Sequence, residues 1–344
     1  MKLKKSPQTA QEKVDERREE VLSKGRKFKY PLQFSRHRIV VNTILIIIVV
    51  LTAITISMWL ALYRFGMTDE FLFRITRVFP VPVAHVDNEN VLFSDYLMLY
   101  RSSMTSIERQ SGSQFDEESV AHLRAEYKRS ALDDSEKFSY AIKLAKELGI
   151  EISNDEVEAE FTRHLNIGGV ERSEESFIKI IEDNFGLNKS EYERMLYLSI
   201  AKAKVSEAID ENAKNIASEV ERMLSENGNN YSAVATALGD KIIYQETGGL
   251  VDSKNIDGGR ATEAAKLEPG GSSGKFVSMN GDGYYFVKLV EKNDSQVNFV
   301  SIRVPFTEFN SRFDKVKAEG GISELITIEA SNTPTNTETP APTE

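Results

Sequence analysis

The side chains that most often do covalent or proton-transfer chemistry are scarce in this chain and poorly spaced for it. Its four histidines, His37, His85, His122 and His164, lie far apart, and there is no cysteine. A thiolate nucleophile or thiolate metal site is excluded, and neither a Ser-His-Asp triad nor a zinc site is supported. Neighbouring carboxylates such as Glu174 and Glu175 read as a solvated helix face rather than as an acid–base pair. The run GGSSGKF suggests a phosphate-binding loop, but Pro269 stands where the first Gly belongs and Phe276 where a Ser or Thr must reach magnesium. NGDG lacks the acidic spacing of a calcium loop. Both are read as turns, and no metal or cofactor is expected.

The element that must position everything else is Ile39 to Tyr63, twenty-five residues without an ionisable group near pH 7 apart from the terminal phenol, fifteen of them Ile, Leu or Val. At ~1.5 Å rise per residue a helix of this length crosses the ~30 Å hydrocarbon core of a bilayer. It is longer than the apolar core of a cleaved signal peptide and follows a charged leader of 38 residues. Trp59 and Tyr63 mark the end where amphipathic rings favour the interface.

Residues 1 to 38 hold twelve Lys and Arg against five Asp and Glu, so the leader carries +7 while the whole chain carries −10. The positive-inside rule then keeps the N-terminus in the cytoplasm and puts the rest, at −17, on the extracytoplasmic side, periplasmic or extracellular. The lipid bilayer is an expected partner. Nucleic acid is not expected as a partner of so acidic a body. The leader itself has few apolar residues and is expected to lack a stable fold.

Beyond the span, residues 64–82 form a connector whose Phe71, Phe73 and Phe79 can sit at the membrane surface or pack under the first domain. A strand-and-turn pattern at VAHVDNENV follows, then Ser94 as a helix start. Helices are predicted over Glu117 to Leu132 and over the Phe138 to Leu148 stripe that stops at Gly149. Ser153 with Glu156 and Asn188 with Glu191 form capping boxes. Ser173 starts and Gly186 ends the helix between them.

These elements, in this order, resemble the SurA-type chaperone domain. VAHVDNENVLFSDYLMLY is similar to that family's opening strand, turn and helix. KLAKELGIEISNDEVEAEF is similar to its next element, and ESFIKIIEDNFGLNKSEYERMLYLSIAKAKV to its third. The resemblance covers about residues 83–210.

The C-terminal half offers amphipathic helices at Ile209 to Leu224 and Tyr231 to Leu238, a strand at Lys241 to Tyr244, and a hairpin built from Lys275 to Met279 and Tyr284 to Glu291. Together with Gly248, Gly249, AAKLEPGGSSGKFV and GYYFVKLVE, this resembles a parvulin-type prolyl isomerase domain. Rotating an X-Pro bond faces a barrier of ~18–20 kcal/mol. The parvulin solution is an apolar grip on the ring and a polar network around the amide. By the resemblance, Tyr285 replaces that family's closing His, Asp257 and Ala261 replace apolar pocket residues, and Ala265 replaces an aromatic. The opening strand is missing from its place. Val297 to Val304 is expected to supply it by permutation, which would put Ser301 near the first His position. No catalytic residue is assigned beyond Tyr285 and Ser301, and the substrate-binding candidates are Tyr285, Phe276 and Ala261.

The fold class expected is therefore α+β: a single transmembrane helix (39–63), an all-helical SurA-like domain (83–210), and a small parvulin-like domain with an antiparallel sheet (211–304). A C-terminal extension (305–330) and a disordered Thr/Pro tail (331–344) follow. The resemblance implies a membrane-anchored folding factor of the SurA, PrsA and PpiD type that holds newly exported, unfolded polypeptides in a groove between the two domains. The alternative is a catalytically dead scaffold docking one membrane partner.

Overall fold

A computed structural model describes residues 10–29, 31–111, 117–166, 170–255 and 257–328. The expected disordered tail at 331–344 lies outside the described residues. The chain divides into two compact units, Met1–Phe65 and Gly66–Glu344.

In the first unit, helix α1 (Ala10–Lys29) corrects the expectation of an unfolded leader over that stretch. Its Glu, Lys, Arg and Ala are strong helix formers, and Lys24 pairs with Glu20 at 2.8 Å one turn away. Helix α2 (Pro31–Trp59) begins on a proline, whose fixed φ suits a first helical position, and ends in a wide π turn over Leu60–Arg64. The stretch Arg38–Arg64 is long and apolar enough to cross a membrane.

The second unit has two lobes. The first opens with α3 (Glu70–Val78), capped by the Asp69 carboxylate, which accepts the Leu72 N–H. A hairpin of β1 (Pro82–Val86) and β2 (Glu89–Leu92) follows, and β8 (Ile322–Glu324) pairs on the other side of β1, giving an antiparallel order β2-β1-β8. The domain is thus helical, as expected, with one small sheet set against its helices. Val83, Ala84, Val86 and Val91 bury the sheet against α4 (Phe93–Ser111) and α5 (Glu117–Leu148).

Two helices were expected across 117–148 and one is found. No Gly or Pro interrupts the stretch, and Ser135 turns its hydroxyl back onto the Ala131 carbonyl at 2.6 Å instead of breaking the helix. Helices α6 (Asn154–Leu165), α7 (Glu174–Phe185) and α8 (Lys189–Ile209) start and stop where the sequence places them: both capping boxes form, and Gly186 takes the left-handed conformation.

The second lobe begins with α9 (Glu211–Glu226) and α10 (Tyr231–Leu238), then β3 (Ile243–Glu246), β4 (Val251–Asp252), α11 (Arg260–Ala265), β5 (Phe276–Val277), β6 (Gly283–Lys292) and β7 (Gln296–Pro305). The sheet is antiparallel with order β3-β7-β6-β5, and β4 also pairs with β7. The strand expected at Val297 to Val304 is therefore inside the sheet. One sheet face packs on α9 and α10 through Tyr284, Phe286, Ile302 and Val304; the other packs on α11 through Val287, Leu289 and Phe299.

Of residues 305–330, expected as an extension, the described 305–328 return to the first lobe. Helix α12 (Glu308–Ala318) lays Phe309 and Phe313 against Tyr140 of α5, with ring centroids 5.5 and 5.7 Å apart, and β8 completes the small sheet. The lobes press directly on each other at Gly281, where a Cβ would come within 2.2 Å of the Ala203 Cβ on α8.

Candidate functional site

Among the described residues, a concave site lies in each lobe. The first is on the α11 face of the larger sheet. Cross-strand pairing sets two rows of side chains there: Phe276, Tyr285, Arg303 in one, and Val287, Ser301, Gln245 in the next. A cavity of about 430 Å³ opens beside the second row, lined among others by Gln245, Asp257, Arg260, Phe299 and Ser301.

Arg260 organises this cavity. Its Nε donates to the Asp257 carbonyl at 2.8 Å and an Nη donates to Gln245 Oε1 at 2.6 Å, while the guanidinium lies over the Tyr285 ring at 5.3 Å. Asp257 accepts the Ala261 N–H with both carboxylate oxygens at 3.1 Å, which fixes the start of α11; burial pushes this carboxyl up, with the Ala261 bond pulling the other way.

The residues singled out in the sequence are brought to one face of the sheet. Tyr285 is buried and donates its hydroxyl to Asp282 Oδ2 at 3.1 Å; burial, then the Asp282 charge, pushes the phenol up, so it stays protonated and serves as a donor. Burial alone would raise Asp282, yet hydrogen bonds from Ser278 and Arg303 hold it below the usual carboxylate range. Ser301 Oγ has Arg260 and the Gln245 carbonyl at 3.5 Å and no base beside it. Phe276 stacks on Tyr285 with centroids 6.0 Å apart. Ala261 is fully buried in the core with Val287 and Leu289, which removes it as a ligand contact. Sequence reasoning missed Arg260, Asp282 and Arg303; only the glycines before Arg260, at positive φ, hinted that the loop doubles back over the sheet.

The second site is in the helical lobe. Val157, Phe161 and Leu165, one helical turn apart on α6, face Glu193, Arg194 and Tyr197 of α8 across a groove of about 640 Å³, with Glu174, Lys189 and Glu158 among the charged groups lining it. Its floor is held by packed rings: Phe161 meets Phe177 and Tyr192 edge-on at 5.6 and 6.1 Å. Below it, His164 Nδ1 and the Tyr192 hydroxyl are 2.5 Å apart. Burial raises Glu160, but bonds from His164 and Arg163 win and hold it at about 2. On the rim, Lys189 lies over the Phe161 ring at 5.0 Å and pairs with Glu174 at 2.6 Å, while Arg194 grips Asp95 with two bonds of 3.1 and 2.8 Å. The groove can hold apolar side chains between charged walls.

The family model described as SurA-like N-terminal domain matches residues 32–206, just over half the chain. The chain belongs to this SurA-like family. No curated protein matches it significantly. The SurA-like match contains the apolar helix and the whole α6–α8 groove, and it makes the chain a chaperone-type folding factor. The match ends before the larger sheet.

Proposed function

We propose that this SurA-like protein is a membrane-anchored, extracytoplasmic holding chaperone that binds apolar and aromatic segments of unfolded, newly exported polypeptides in the α6–α8 groove. The observation that carries this is the apolar floor of Val157, Phe161, Leu165 and Tyr197 inside the matched stretch. The groove sits within the helical lobe, rather than between the lobes as the sequence suggested. Anchoring is supported by the apolar run 38–64 and the basic leader before it.

The larger sheet is read as a permuted parvulin-like module without isomerase chemistry. Support comes from β7 standing between β3 and β6 and from a Tyr285 hydroxyl already committed to Asp282. The scaffold alternative rests on the same commitment.

The test is aggregation of an unfolded client in the presence of the full chain in lipid nanodiscs. Suppression that Tyr197→Glu combined with Val157→Glu abolishes, with the far-ultraviolet spectrum unchanged, supports the holding role. No suppression, with one tight membrane partner recovered instead, overturns it in favour of the scaffold.

A further inference from the structure

Helix α3 is apolar on two sides, and among the described residues only one of them is covered. Leu72 and Phe73 are 5% and 2% exposed on the side that packs against α4, where the Arg101 guanidinium lies over the Phe73 ring at 4.6 Å. On the other side Phe71 and Val78, two turns apart, are 70% and 71% exposed, and Phe79 at the helix end is 62% exposed. Single exposed apolar residues are ordinary, but two on one nine-residue helix and a third at its C-cap form a patch that water disfavours.

What covers the outer side is indicated by its place in the chain and its charge. Only Phe65 to Asp69 separate α3 from the end of the apolar run at Arg64. Trp59 and Tyr63, with rings 6.0 Å apart, are the residues that settle at a bilayer interface, so the run meets the headgroups just before α3 begins. Arg64 and Arg74 are exposed on either side of that connection; Arg74, on the Phe71 side of α3, pairs with Glu70 one turn back, so Arg64 is the cation set to meet a lipid phosphate.

We propose that the outer face of α3 lies in the headgroup region of the bilayer, with Phe71, Val78 and Phe79 at the acyl boundary and the Arg74–Glu70 pair among the headgroups. The inner face clamps the helical lobe, so α3 joins that lobe to the membrane surface. This rests on reading residues 38–64 as a membrane span.

The chain has no cysteine, so single-cysteine variants report one position each. Spin labels are placed at Phe71→Cys, Val78→Cys, Ile48→Cys within the apolar run, and Val290→Cys on the exposed surface of the sheet lobe, in the full chain reconstituted in vesicles containing phosphatidylglycerol. Collision with oxygen is compared with collision with a water-soluble nickel chelate. The expected result is strong protection from the chelate at 48, severalfold protection at 71 and 78, and none at 290. Protection at 48 with 71 and 78 as open as 290 overturns the proposal and leaves the anchor standing. Chelate access at 48 removes both. Shielding of 71 and 78 in native membranes but not in protein-free vesicles assigns the face to a protein and also overturns it.

Discussion

Asp210 Oδ2 accepts the backbone N–H of Thr307 at 2.7 Å, and that of Glu308 at 3.0 Å, while Oδ1 caps α9 through the Ala213 N–H at 2.8 Å. One buried carboxylate thus ties the hinge where the chain leaves the helical lobe to the point where it returns. Asp210→Ala removes a helix cap and two charge-assisted bonds together and is expected to cost about 2–3 kcal/mol, read as a lower urea midpoint. An unchanged midpoint would mean the two crossings hold without it.

Glu136 on α5 gives a pH dependence of unusual sign. It is fully buried, its carboxylate makes no hydrogen bond among the described residues, and its nearest cation is Arg129 at 3.9 Å. Burial first, then Glu324 of β8, pushes it from 4.5 up to about 7, with Asp133 adding to the rise and Arg129 and Lys317 opposing it. Below 4.5 folded and unfolded chains both hold the proton. Between 4.5 and 7 only the folded chain does, so stability falls as pH rises through this window and the full penalty stands above it. Glu136→Gln is expected to add about 1–2 kcal/mol above neutral pH and nothing in acid, measured by chemical denaturation across pH. A gain of the same size at all pH values would show that packing, not ionisation, is responsible.

Glu160 behaves in the opposite way. Held at about 2, it contributes stability above its ordinary 4.5, and this is lost as pH falls from 4.5 towards 2. Glu160→Gln should therefore destabilise by about 1–2 kcal/mol at neutral pH, and the difference from the parent should shrink in acid. Circular dichroism melts of the two chains at both ends of that range decide it.

Tyr285 separates structure from catalysis. Tyr285→Phe removes one bond to Asp282 and leaves Arg303 on the same carboxylate, so a loss of about 1 kcal/mol is expected. Prolyl isomerisation of a test peptide should run at the uncatalysed rate with either chain. A parent rate above background that falls in the variant would make the phenol a working donor.

Much of the helical lobe was legible because its signals are local. Ser153 with Glu156, Asn188 with Glu191, and Gly186 each act within one turn, and all three sit where the pattern puts them. The connector was half legible: three phenylalanines announced a segment that packs under the domain or faces the membrane, but the helix itself was not read, and only the packing on α4 shows that Phe73 goes inward while Phe71 and Phe79 stay out. What could not be read is what distant residues create. Nothing near Glu136 announces its burial, which depends on β8 and α12 folding back from the far end of the chain. Arg260 looked like an ordinary surface charge until strand register brought Gln245 and Ser301 beneath it. The three residues of β8 are too short to show strand alternation, so the 305–330 segment looked detached.

The pairing of Ala84 with Glu324 has a consequence for how the protein reaches its working form. During vectorial synthesis β1 emerges long before its second partner, so the helical lobe stays unfinished until β8 has followed it out of the exit tunnel. Until then the open edge of β1 is available to other strands, including those of its own nascent sisters. A premature stop after Pro305 would make that interim state permanent.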